Sequence, residues 1–159
     1  MVDNYVEQLL TLTELVGEIG GRKKFQKMVY ILQSKGVEFR EKFKYHYFGP
    51  YSSDLQLEID ELVDQNKLQE DVKGMAYSYK VSSSVSFEKV NNIVQKKDLI
   101  KLMNNADASV LELTSTIYFL IRNGYDEEII TNKLRNLKPH LDEHIDEAFE
   151  LKNKVDMLV

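Results

Sequence analysis

The sequence predicts a mainly α chain with a small β-hairpin, an α+β arrangement in which three helices and the hairpin lead into an all-helical C-terminal part. Three observations carry this. Apolar residues recur at helical spacing through most of the 159 residues. The runs 68–72 and 75–81 instead read as two short strands around Lys73-Gly74, where glycine supplies the turn's backbone angles. Ser82-Ser83-Ser84 is then a polar joint too brief to act as a linker of any reach, and the helical pattern resumes to the end.

Tyr5, Leu9, Leu12 and Val16 mark the first helix, which ends at Ile19-Gly20-Gly21. In the second, Phe25, Met28, Val29 and Leu32 form a core stripe, while Lys23 and Lys27 lie one turn apart on the opposite face. Gly36 stops it. Residues 43–48, Phe-Lys-Tyr-His-Tyr-Phe, alternate like a short strand with one covered face, and Gly49-Pro50 is expected to break it. Ser53 with Gln56 forms a capping-box pattern opening a third helix over about 54–66, with Leu55, Ile59, Leu62 and Val63 inward. Three helices followed by a hairpin is the order of a winged helix, so residues 1–84 are expected to be winged-helix-like.

Beyond the joint, Phe87, Val90 and Val94 begin one helix, and Leu99, Ile100 and Met103 continue it or begin another. Asp107 caps a helix with Val110, Leu113, Ile117, Leu120 and Ile121 on one side and Leu111 and Tyr118 on a second, which marks it as central. Asp126-Glu127-Glu128 place acids in a first helical turn, where the dipole favours them. Pro139 suits the first position of a last helix whose core side is Leu141, Ile145, Ala148 and Val155. Residues 85–159 are thus a helical bundle, expected to pack as one unit with the first part.

Lys24-Phe25-Gln26-Lys27-Met28-Val29-Tyr30-Ile31-Leu32, followed by Gly49-Pro50-Tyr51-Ser52 and Leu55, resembles the YwgA-like proteins of bacteria and archaea. More distantly it is similar to the Panacea domain of SocA-like antitoxins, whose pattern usually has leucine where Phe25 stands. The similarity extends to the Lys138-Pro139 region. The YwgA-like group has no established activity; the SocA-like resemblance implies a non-enzymatic protein-binding module.

Composition is that of an ordinary soluble globular protein, 43% hydrophobic and 30% charged. The absence of cysteine excludes disulfides, thiol catalysis and cysteine-zinc sites. Met1-Val2-Asp3-Asn4 lacks the start of a secretory leader, and no apolar stretch approaches the roughly 18 residues of a membrane span. A cytoplasmic location without membrane contact is expected. The net charge of −5 is unevenly spread: residues 22–44 hold eight bases against two acids, leaving −11 on the remainder. Such a basic stretch attracts phosphate or docks on acids of the same chain or a partner.

His140-Leu141-Asp142-Glu143-His144 matches the H-x-x-E-H pattern in which two helical histidines hold zinc and glutamate is the base. It stands on a strongly acidic helix with no third ligand, and the surface-helix reading prevails. His46 lies among Tyr45, Tyr47 and Phe48, where a hydrogen-bonded edge histidine is the simpler reading. Gly17, Gly20 and Gly21 lack the P-loop spacing, and Tyr30 is a helix residue at the core margin. No Ser/His/Asp order or paired buried carboxylates can be assembled. No enzyme, cofactor or metal is expected.

The third helix weighs most. Asp54, Glu58, Asp60, Glu61 and Asp64 ring its outward arc without one base, whereas a groove-reading helix needs positive charge near phosphate. Leu57 points outward among them. The expected function is therefore a non-enzymatic protein-interaction module, antitoxin-like or adaptor-like, with Tyr47, Pro50, Tyr51, Leu57, Glu58 and Glu61 meeting a protein partner. The alternative is a nucleic-acid-binding transcriptional regulator using Arg22, Lys23, Lys24, Lys27, Arg40, Lys42 and Lys44. What separates them is whether those bases form one exposed stripe or face the chain's own acids. Self-association stays open.

Overall fold

A computed structural model of the protein describes residues 4–158; the N-terminal Met1, Val2 and Asp3, read above for a leader, lie outside the described residues. The chain is mainly α with small β-hairpins. Helices α1 (Tyr5–Val16) and α2 (Arg22–Ser34) lead into a hairpin of β1 (Lys44–His46) and β2 (Gly49–Tyr51). Helix α3 (Ser53–Asp64) and a second hairpin, β3 (Leu68–Lys73) and β4 (Ala76–Val81), follow. The rest is helical: α4 (Asn91–Val94), α5 (Lys97–Asn104), α6 (Ala108–Arg122), α7 (Glu127–Leu137), a 3-10 segment Pro139–His144 and α8 (Ile145–Met157).

The expected order of three helices and a hairpin is present, with an additional hairpin inserted between α2 and α3. There the expectation that Gly49-Pro50 ends a lone strand was wrong. The chain turns at Tyr47-Phe48 and pairs back antiparallel, Lys44 opposite Tyr51 and His46 opposite Gly49. Pro50 has no N–H to give the ladder, but its carbonyl is free to accept from elsewhere. Gly49 has φ +91°, and a Cβ there would stand 2.9 Å from Thr116 Oγ1, so only glycine fits.

Ser52, not Ser53, caps α3, its hydroxyl accepting from Leu55 N–H at 3.1 Å. The β3–β4 hairpin is tied to the α1–α2 turn by reciprocal bonds between Ile19 and Tyr79, at 2.8 and 2.9 Å. Residues 85–90 are irregular rather than helical, and Val90 N–H donates to Thr11 Oγ1 in α1 at 3.0 Å. Pro139 opens a 3-10 turn before α8 instead of opening α8 itself.

Helix α6 is central, with every residue from Val110 to Tyr118 buried. It packs on α2, β2, α7, α8 and the 3-10 segment. Its small Thr114-Ser115-Thr116 run bonds back to its own carbonyls, which satisfies the hydroxyls and lets β2 approach closely. Helix α2 is buried on nearly all sides from Phe25 to Leu32 because α6 covers the side that α3 does not. Among the described residues no helix is long and apolar enough to cross a membrane.

Burying Val110, Leu111, Leu113, Ile117 and Leu120 stabilises by roughly 1.5–3 kcal/mol each. A fragment ending at residue 84 forfeits this and bares one side of α2. Followed by circular dichroism, it is expected to show no cooperative melt. A melt as stable as the whole chain's would mean that the two parts fold independently.

Candidate functional site

Two successive residues of α2 hold the corner after the first hairpin. Gln26 pairs both backbone groups of Ser52, donating Nε2 to its carbonyl at 2.8 Å and accepting its N–H at 2.9 Å. Lys27 donates Nζ to the carbonyl of Pro50 at 2.5 Å. From the junction of α7 and the 3-10 segment, Lys138 Nζ reaches the carbonyl of Tyr47 at 2.9 Å. The same ammonium donates to Glu112 Oε2 at 2.6 Å, and Lys23 donates to Glu112 Oε1 at 2.9 Å. The three stretches that carry the sequence resemblance therefore meet at one buried place.

This centre places three ammoniums around one carboxylate. Burial drives the Lys27 ammonium down to about 7; Glu112 opposes the shift while Lys138 and Lys23 add to it. Burial alone would raise Glu112, but its hydrogen bonds to Lys138 and Lys23 outweigh that and hold it below the ordinary carboxylate value. Lys27 is only 1% exposed and spends its donor on a backbone carbonyl. The cluster locks the hairpin onto α2 and α6. Above it, Tyr47 and Phe48 stand exposed at the tip, their rings edge to face at 4.9 Å.

The bases expected to form a surface stripe are mostly consumed by the chain itself. Lys27 is buried, contrary to its assignment to an outward face, because the hairpin and α6 cover that side of α2. Lys23 pairs with Glu112, and Lys24 donates to the carbonyl of Asn104 at 2.6 Å. Arg22 lies 4.1 Å above the Tyr77 ring and bonds Tyr79 Oη at 3.2 Å, with Glu70 3.7 Å away. Arg40 donates to Glu58 at 2.8 Å and faces the Tyr5 ring. Arg22, Arg40, Lys42 and Lys44 are exposed.

The expected partner-binding residues also divide. Tyr47, Leu57 and Glu61 are exposed, and Tyr51 is half-buried against His46 at 5.1 Å between ring centres. Pro50 and Glu58 are buried, so neither offers a surface. The outward assignment of Glu58 fails because the segment 37–43 lies against α3 and brings Arg40 onto it. His140 and His144 fall on the 3-10 segment, whose three-residue turn does not align positions i and i+4. His144 instead lies 3.5 Å from Glu143 and 4.0 Å from Glu147.

A groove of about 310 Å³ opens between segment 37–43 and α3, lined by Arg40, Glu41, Asp54, Leu57, Glu58 and Glu61. Glu41 is 2% exposed, and among the described residues neither of its carboxylate oxygens meets a donor. Burial first, and then Glu58 beside it, push its carboxyl up to about 8. Sequence reasoning passed over Glu41, although a signal existed. Val37, Phe39, Glu41 and Phe43 alternate with exposed residues, so the acid occupies an inward position of an extended run. Glu112 was equally legible as the one acid in α6, flanked by the apolar Leu111 and Leu113.

Lys27's depressed value fixes a sign. An ammonium whose folded value lies below its unfolded one stabilises most above the unfolded value and loses that contribution as pH falls. In urea titrations, wild-type stability minus that of Lys27→Met is expected to decline from pH about 10.5 to about 7 and then level off. A difference independent of pH over that window would show that Lys27 is not desolvated in solution.

No family model and no solved structure matches the chain. It is 34% identical over 144 residues to a Bacillus subtilis (strain 168) protein described as "Uncharacterized protein YwgA", covering 84% of this chain and 86% of the relative.

Proposed function

The chain belongs to the YwgA-like family, and from that premise we propose a cytoplasmic, non-enzymatic protein-interaction module on a winged-helix-like scaffold, serving as an antitoxin or adaptor. The observation that carries this is the outward side of α3. Asp54, Leu57, Glu61 and Asp64 are exposed there, and Arg40, the base lining the adjacent groove, is already on Glu58. A helix bearing carboxylates repels phosphate, whereas acids around an exposed leucine suit a protein surface with basic and apolar groups. Helix α3 starts two residues after β2, so the Tyr47–Phe48 tip and the acidic helix are successive parts of one corner.

Against the regulator reading, Lys27 is buried and Lys23, Lys24, Arg22 and Arg40 are bonded to the chain's own groups, although Arg22 and Arg40 remain exposed. The exposed bases, Arg22, Arg40, Lys42 and Lys44, would give affinity that collapses with salt. Two measurements test the proposal together. In fluorescence-anisotropy titrations, random and genomic duplexes should bind weakly at low salt and not measurably near physiological salt. In nuclease-treated pull-downs from the source cell, wild type should retain a protein that Leu57→Asp loses while melting like wild type. Sequence-selective binding that survives salt and is lost on substitution within α3 would overturn the proposal in favour of the regulator.

A further inference from the structure

The groove between segment 37–43 and α3 holds an imbalance of charge that the described residues do not resolve. Glu41, Asp54, Glu58 and Glu61 line it against the single guanidinium of Arg40, which donates to Glu58 at 2.8 Å. Glu41 is almost wholly buried and, among the described residues, its two oxygens meet no donor. A buried carboxyl in that state is costly unless a proton or a cation neutralises it. Leu57, 59% exposed, forms the apolar part of the rim.

We propose that this groove seats a single cationic side chain, arginine or lysine, of a protein partner, with its charged head between Glu41 and Glu58 and its aliphatic stem along Leu57. The inference rests on the interaction-module reading and names the chemistry the partner must present. Size agrees: about 310 Å³ lies at the bottom of the range for small-molecule sites and suits one long side chain. Shape agrees too, since such side chains bury their stems on apolar surface while their heads stay on charge.

In the free chain a proton takes the cation's place. Burial and the neighbouring Glu58 hold it on Glu41 up to about pH 8. An entering cation converts the Glu41 carboxyl to carboxylate, and the proton leaves to solvent. Binding should therefore release a proton and tighten as pH rises towards about 8. The groups facing Glu41 are Glu58 on α3, Arg40 beside it, and Asp54 and Glu61 at the rim. Glu38, Lys42, Tyr30 and Arg122 line a second cavity on which Glu41 also borders. Gln33 on α2 holds the Glu41 backbone by donating to its carbonyl at 2.9 Å.

The probe is n-butylguanidinium chloride added to the intact chain carrying carbon-13 in its glutamate carboxyls and leucine methyls, with n-butanol and sodium chloride as controls. The expected result is a lowered titration midpoint for Glu41 and a shift of the Leu57 methyls, absent in both controls. Glu41→Gln keeps the fold, because its amide is uncharged as the protonated acid is. It should weaken the probe about tenfold. An unmoved Glu41 midpoint, or shifts spread evenly over surface acids such as Glu127 and Glu150, would overturn the proposal and leave Glu41–Glu58 as a structural acid pair. If the Leu57-dependent partner still binds Glu41→Gln as it binds wild type, the cation seat fails and the interaction module stands. If the probe binds at Glu41 but Leu57→Asp costs no partner, the module fails and the seat stands.

Discussion

One buried carboxylate governs this structure. Glu112 sits inside the buried helix α6, where an isolated charge would be prohibitively expensive, and two ammoniums from distant parts of the chain answer it. Lys23 comes from the first turn of α2 and Lys138 from the end of α7, 26 residues beyond Glu112. Removing either leaves one buried carboxylate oxygen without its partner. Lys138 is itself fully buried, so the dependence runs both ways.

The first hairpin is built on that lock. Lys138 and Lys27 take the carbonyls of Tyr47 and Pro50, and Gly49 lies against Thr116 without room for a Cβ. Gln26 then fixes Ser52, whose hydroxyl starts α3. The position of the acidic helix is thus transmitted residue by residue from the centre of α6. Opposite it, segment 37–43 is pinned by Gln8 to the carbonyl of Glu38 and by Gln33 to that of Glu41, and this brings Arg40 and Glu41 against α3. The groove lies between two elements that are each anchored from behind.

Much of this was legible from residue order. Helical spacing located α1, α2, α3 and α6, and Lys73-Gly74 located the second hairpin. What escaped depended on cover from remote elements. A helical wheel shows Lys27 opposite Phe25 and Met28, and nothing local reveals that α6 and a hairpin close over it. Gly49-Pro50 reads as a break because proline cannot donate to a ladder, yet a two-stranded hairpin leaves that position unpaired and uses its carbonyl instead. Glu58 looked outward for the same reason: the chain that covers it lies before it in a segment without regular structure. The site residues Glu41 and Glu112 were marked by acids at inward positions, a signal that charge counting over a long window erases.

The most direct test of the lock is a double-mutant cycle in urea on Glu112→Gln and Lys138→Met. Each single change strands a buried partner and is expected to cost about 3–5 kcal/mol. The double variant should lose markedly less than the two costs combined, with a coupling of at least about 1.5 kcal/mol. Additive losses, with a coupling within about 0.5 kcal/mol of zero, would contradict the claim that this pair holds the hairpin and α3 in place.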